Sequence, residues 1–156
     1  MMFPISSSRT LHRLIYASRQ AFGPGLEPDE EIDALIRASI RNNRLADITG
    51  LLLVHDGWFV QALEGPAEKV MTTFGRIAED PRHAEAKVVA AGPASERAFA
   101  DWNMCARRFS RADDAILDTL SLRTVFDPAR LDGRSALRLL KAVRGVQAGT
   151  VLRATA

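Results

Sequence analysis

A chain of 156 residues, 47% hydrophobic and 26% charged, has the size and composition of one compact domain with a real core and a short appendage. Net charge is only +2, and the pI of about 9.1 reflects arginine outnumbering lysine rather than a dense basic block, so no nucleic-acid partner is expected. The single cysteine, Cys105, excludes an internal disulfide and fits a reducing cytoplasm. The first ten residues lack a signal-peptide core and no run is long enough to span a bilayer, so a cytoplasmic protein without membrane association is expected.

Residues 11–18 alternate as a first strand, with Leu14, Tyr16 and Ser18 on one face and Arg13, Ile15 and Ala17 on the other. Gly23, Pro24 and Gly25 punctuate a loop. Pro28 then opens a helix whose first turn carries Asp29, Glu30 and Glu31, acids that complement the helix dipole. Ile32, Leu35, Ile36, Ser39, Ile40 and Asn43 follow its inward stripe, so Asn43 reads either as a C-cap or as a polar group on the apolar face. Two β-rich runs then flank His55-Asp56-Gly57, and Asp-Gly between such runs predicts a hairpin, because Gly57 accepts φ > 0 at little steric cost. The first run is nearly continuous in aliphatics, which suits a central strand. In the second, Phe59, Gln61 and Leu63 share a face, and a primary amide among apolar neighbours needs partners for two donors and an acceptor.

A second helix enters through Gly65-Pro66, buries Val70, Phe74, Ile77 and Ala78, and ends at Asp80-Pro81, because a residue before proline avoids helical backbone. Arg82 and His83 fall in the following loop. Residues 87–91 predict a fourth strand that Gly92-Pro93 breaks, residues 94–99 a helical turn, and residues 101–107 a fifth strand with Trp102, Met104 and Ala106 on one face. The order β-α-β-β-α-β-β, with right-handed crossovers, gives a ferredoxin-like α+β sandwich with both helices on one sheet face and an extra strand. Residues 112–122 and 135–146 predict two short amphipathic helices, the second burying Leu137, Leu140 and Val143, that cover the other face, where Trp58, Val60 and Ala62 lie. Residues from Gly149 onward are expected to fray.

The chemistry is narrow. His12, His55 and His83 have no metal-ligand spacing, so no metal is expected. No phosphate-cradling glycine motif and no nucleophile elbow occur, Cys105 reads as a packing residue, and Arg107, Arg108 and Arg111 read as a solvated edge. What stands out is a phenol (Tyr16), two amides (Asn43, Gln61) and, from the fifth strand, the Met104 thioether and Trp102 indole among apolar residues. Each alone reads as ordinary core or capping. Together they suit one cavity for a planar heterocycle with carbonyl and imine edges.

The segments Leu14-Ile15-Tyr16-Ala17-Ser18, Asn42-Asn43, Ile48-Thr49-Gly50-Leu51-Leu52, Phe59-Val60-Gln61-Ala62-Leu63-Glu64-Gly65, Asp80-Pro81-Arg82-His83 and Phe99-Ala100-Asp101-Trp102-Asn103-Met104 occur in the order and spacing of the BLUF family, the blue-light sensors using FAD, which residues 11–108 resemble. The resemblance implies a photosensor domain over residues 1–108 with a helical extension over 109–156 in the same compact unit. It implies FAD, with FMN or riboflavin as possible substitutes, held between the two helices. Tyr16 then corresponds to the electron and proton donor, Gln61 to the switching amide, and Asn43 to the hydrogen-bond partner of the flavin carbonyl region. Met104 and Trp102 correspond to reporters of the switch, and Ser18 supports the tyrosine side. Arg76, Asp80, His83 and Asn42 correspond to contacts with the ring edge, ribityl chain or phosphates. No substrate is consumed in such a cycle, so the chain is not expected to be an enzyme. Residues 109–156 are too few for a cyclase, a phosphodiesterase or a typical DNA-binding domain. Output is therefore expected to pass to an unidentified signalling protein, through a changed surface or a homo-oligomer. Two other readings compete: a dark flavin-dependent redox enzyme, for which no nicotinamide motif is present, and a cofactor-free ferredoxin-like interaction module.

Overall fold

The computed structural model describes residues 10–25, 27–100, 105–108, 126–145 and 151–153. Strands β1 (Leu11–Gln20), β2 (Thr49–His55), β3 (Trp58–Pro66), β4 (His83–Pro93), β5 (Cys105–Arg108) and β6 (Val151–Arg153) form one sheet in the order β4-β1-β3-β2-β5-β6. The first four pair antiparallel, β5 runs parallel to β2, and β6 returns antiparallel to β5. Helices α1 (Pro28–Leu45) and α2 (Ala67–Glu79) cover one face and α3 (Gly133–Gly145) the other. This is the expected ferredoxin-like sandwich, with β5 as the extra strand.

The alternation of β1 and β3 divides the core in two. Leu14, Tyr16, Phe59 and Leu63 pack with Ile32, Leu35, Ile36 and Ile40 of α1 and Val70 of α2. Ile15, Ala17, Val60 and Ala62 face the other way and meet Ala136, Leu139, Leu140 and Val143 of α3. That α3 stripe is spaced i, i+3, i+4, i+7, so Leu139 is fully buried and Leu137 sits partly buried at its border. The β2–β3 hairpin turns on Asp56 (φ 49°) and Gly57 (φ 79°), the two positive φ values of a type I′ turn, whose twist matches that of its strands.

Several expectations are corrected. Strand β4 begins at His83 and runs through Pro93. As an edge strand it loses little by the missing proline N–H, and Pro93 still pairs with His12. Helix α1 continues two residues past Asn43, with Ala46 as its C-cap, so Asn43 is a buried position of the last turn and not the cap. On α2 the buried positions are Val70 and Thr73, whereas Ala78 is exposed. Residues 94–99 form bends rather than a helical turn, because the Glu64 carboxylate captures the backbone N–H groups of Ala98 and Phe99 (both 2.8 Å). Strand β6 lies where fraying was expected, and it takes the outer side of β5, so the strand carrying Arg107 and Arg108 is not the sheet edge. The helix expected over 112–122, Arg111, and residues 101–104, with Trp102 and Met104, lie outside the described residues.

Glu64 is fully buried. Beyond the two backbone groups it accepts from Arg13 Nε at 2.6 Å, while Arg97 bonds Thr49 Oγ1 at 2.9 Å and the Glu64 carbonyl at 3.1 Å. Gly65, next along, admits no side chain: a Cβ there would stand 2.7 Å from the Asp47 carbonyl oxygen. Removing the Glu64 carboxylate strands two N–H groups and a partly buried guanidinium. Glu64→Ala is therefore expected to destabilise the fold by about 3 kcal/mol, read as a lower urea midpoint at unchanged slope; an unaltered midpoint refutes the role.

Candidate functional site

Tyr16 and Gln61 stand directly opposite one another in the β1–β3 ladder. Both are buried, and the Tyr16 hydroxyl donates a short hydrogen bond to Gln61 Oε1. Burial, reinforced by the Asp80 carboxylate, pushes the phenol pKa well above its ordinary value, so the proton stays on Tyr16 at any physiological pH. Phe74 of α2 packs on the Tyr16 ring at 5.4 Å between centroids. His83 stands edge-on to Tyr16 at 6.0 Å and lies 4.7 Å from Phe59.

Above this pair a cleft with about 110 Å³ of cavity space opens between α1 and α2. Asn42 and Asn43 border it from α1, Thr73 and Arg76 from α2, Gln61 from β3, and Asp80, Arg82 and His83 from the turn into β4. The Asp80 carboxylate accepts from Arg82 Nη2 at 2.6 Å and from Arg82 Nε at 3.0 Å. That bond holds the Asp80 carboxyl below its ordinary pKa and fixes the turn. Ser18 Oγ and His83 Nδ1 lie 2.8 Å apart. Burial lowers the His83 pKa to about 4; Asp80 pulls it upward and Arg82 downward. The imidazole is thus neutral at pH 7.

Two atoms in the walls are anomalous. Asn43 Nδ2 and Thr73 Oγ1 are buried and have no hydrogen-bond partner among the described residues. Native interiors rarely leave such groups unpaired, and each one calls for an explanation.

Of the sequence candidates, the structure gathers Asn42, Asn43, Gln61, Arg76, Asp80 and His83 around one cleft, with Tyr16 beneath Gln61. Ser18 reaches the group through His83 rather than touching Tyr16 by a hydrogen bond of its own. Asn42 and Arg76 are exposed at the rim. Trp102 and Met104 lie outside the described residues. Sequence reasoning passed over Thr73 and Arg82. Thr73 falls on the i, i+3, i+4, i+7 stripe of α2 with Val70, Phe74 and Ile77, and that spacing could have found it; Arg82 carries no periodic signal.

The frame is thus a ferredoxin-like sheet whose two helices open a cleft over a buried phenol–amide pair. The family model of sensors of blue-light using FAD, BLUF, matches residues 11–105, and the chain belongs to that family, whose members sense blue light through a bound flavin. Over 96 residues it is 40% identical to the photoactivated adenylate cyclase subunit beta of Euglena longa, covering 61% of this chain and 11% of that one. It is 40% identical over 57 residues to the blue light- and temperature-regulated antirepressor BluF of Escherichia coli (strain K12), 36% of this chain and 14% of that one. The chain thus spans only a small fraction of these curated relatives. Among solved structures, the dark state of BlrB, a BLUF protein, is 32% identical with a TM-score of 0.69, covering 88% of this chain and 96% of that one. The photo-activated state of BlsA has a TM-score of 0.80 at 23% identity, covering 94% and 99%, and shares the fold.

His83 sets a pH dependence. Its folded pKa of about 4 lies below the ordinary 6.5, so above pH 6.5 both states are neutral and nothing is lost. Between about 6.5 and 4 the unfolded chain takes up a proton that the folded one refuses, and stability falls. His83→Gln is expected to flatten that arm of a stability-versus-pH curve from denaturant titrations; an arm of unchanged slope excludes His83 as its source. The Asp80 contribution is lost only lower, as pH falls below 3.8.

Proposed function

We propose that this chain is a blue-light photoreceptor that binds FAD in the cleft between α1 and α2, with FMN or riboflavin able to substitute, and that Tyr16 and Gln61 perform its photochemistry. The observation that supports this most is the buried Tyr16–Gln61 hydrogen bond at the floor of a cleft with an unpaired amide donor, Asn43 Nδ2, in its wall. A bound flavin would offer that donor a ring carbonyl, which an apolar-lined interaction module has no reason to supply.

Bound flavin supplies a blue-absorbing ring that becomes a strong one-electron oxidant when excited. Tyr16 provides the electron and, from Oη, the proton. Its burial keeps the phenol neutral beforehand, and its bond to Gln61 Oε1 fixes where the proton leaves. Neutral His83, bonded to Ser18, adds no charge beside it. As the Tyr16 proton departs and returns, Gln61 re-sorts its donor and acceptor by rotation, tautomerisation or both. Gln61 would then present an additional amide donor toward the ring, the change that would shift absorption to the red. Asn43 holds the carbonyl region. Asp80, paired with Arg82, together with Arg76, Asn42 and His83, orients the ring edge and the ribityl phosphate side. Met104 and Trp102, which precede β5 in the chain, report the change, and the chain after β5, which includes α3, carries it to a signalling partner or a second copy of the chain. The cycle turns over no substrate, and the protein acts as a cytoplasmic sensor, not an enzyme.

One hydrogen bond contributes only about 0.5–1.5 kcal/mol net, so the output must be an element already near balance. In purified, flavin-loaded protein, blue light should shift the flavin bands reversibly to the red. Gln61→Leu keeps the volume and loses the amide; it should retain flavin but show no shift, and a normal photocycle there removes Gln61 from the mechanism. Tyr16→Phe should likewise lack the normal cycle in transient absorption, and an intact response excludes Tyr16 as donor. Bleaching of the dark protein by reduced nicotinamide would instead favour a redox enzyme.

A further inference from the structure

The two partnerless atoms belong to different helices of the same cleft. Asn43 on α1 is 2% exposed and Thr73 on α2 is 6% exposed, and both residues border the space above Gln61. A buried threonine inside a helix ordinarily returns its hydroxyl to the carbonyl one turn earlier. Thr73 Oγ1 makes no such bond and no other among the described residues. The rest of its stripe, Val70, Phe74 and Ile77, is apolar and packs on the core. A valine would fill the same volume without an unpaired polar atom, so packing does not account for the hydroxyl.

We propose that Thr73 is a second polar ligand-binding residue of this cleft, facing Asn43 across it, and that its hydroxyl hydrogen-bonds the imide edge of the flavin and sets the affinity. The inference rests on the flavin reading above. The chemistry fits: a hydroxyl both donates and accepts, and the imide edge presents carbonyls on either side of an N–H. Asn43 supplies a donor from α1 and Thr73 a donor or acceptor from α2, so the edge is held from both helices. Such a contact also selects for flavins with an unsubstituted imide nitrogen.

The test compares wild type, Thr73→Val and Thr73→Ser, each prepared without flavin and titrated with FAD by fluorescence quenching, with urea unfolding of the flavin-free forms and infrared spectra of the loaded ones. Flavin-free Thr73→Val should be at least as stable as wild type, since it loses only an unpaired hydroxyl. It should bind FAD roughly 3- to 10-fold more weakly, the loss of one net hydrogen bond, and its bound flavin carbonyl band should move to higher frequency. Thr73→Ser should restore both affinity and band. Wild-type affinity in Thr73→Val, or a clear loss of stability in its flavin-free form, overturns the assignment. Failure of wild type itself to take up FAD overturns the flavin reading and this inference with it.

Discussion

Tyr16 can reach Gln61 only in one register of β1 against β3. A slip of one residue would bring Val60 or Ala62 opposite the phenol and send the amide into the α3 side of the sheet. Much of the local structure guards that register. The β2–β3 hairpin closes on two residues with positive φ, Asp56 and Gly57, which leaves no slack in the turn. At the far end of β3, Gly65 lies so close to the Asp47 carbonyl that the strand cannot shift without a clash. Between these points β3 is flanked by β1 and β2 along its length, so its backbone groups are satisfied and its side chains alone decide what each face does.

The same strand addresses both layers. Phe59, Gln61 and Leu63 face α1 and α2, while Val60, Ala62 and Glu64 face the side that α3 covers. Glu64 ties the strand to Ala98 and Phe99, and Phe99 is buried with Leu139, Leu140 and Val143 of α3. Arg144 of α3 donates to the Ala98 carbonyl and places its guanidinium 5.9 Å from the Phe99 ring centroid. Gln61 therefore lies three residues along one strand from the clip that seats α3. Packed interfaces of this kind respond by discrete repacking rather than gradual deformation.

The periodic parts of this architecture were legible in the sequence because they bury apolar stripes: the alternation of β1, the α1 stripe from Ile32 to Ile40, and the Asp56-Gly57 hairpin. Tyr16, Gln61 and Asn43 were legible for the opposite reason, as polar groups interrupting those stripes. What escaped was set by partners distant in sequence. The bends at residues 94–99 exist because a carboxylate on β3 takes their N–H groups, and nothing in Ala-Ser-Glu-Arg-Ala-Phe announces that. Strand β6 pairs with β5 through backbone hydrogen bonds, for which three residues offer no pattern. Pro93 looked like a strand breaker and is not one, because only the edge position of β4 makes its missing donor harmless. Thr73 lies on the buried stripe by its spacing, but a single hydroxyl within a helix carries no signal of a binding role.

A domain of this size has only about 5–15 kcal/mol of net stability, and each buried polar atom without a partner costs about 1–3 kcal/mol of it. Asn43 Nδ2 and Thr73 Oγ1 together therefore take a sizeable share, although apolar residues of equal volume would fill both positions. Sequences break local rules of this kind mainly where a site requires it. Among the described residues the unsatisfied atoms occur in the walls of a single cleft, one on each of its two helices, above the buried phenol–amide pair. A ligand that pairs with them returns the lost hydrogen bonds and so stabilises the folded state in proportion to its own occupancy. Folding stability and ligand affinity would then be two readings of the same hydrogen bonds.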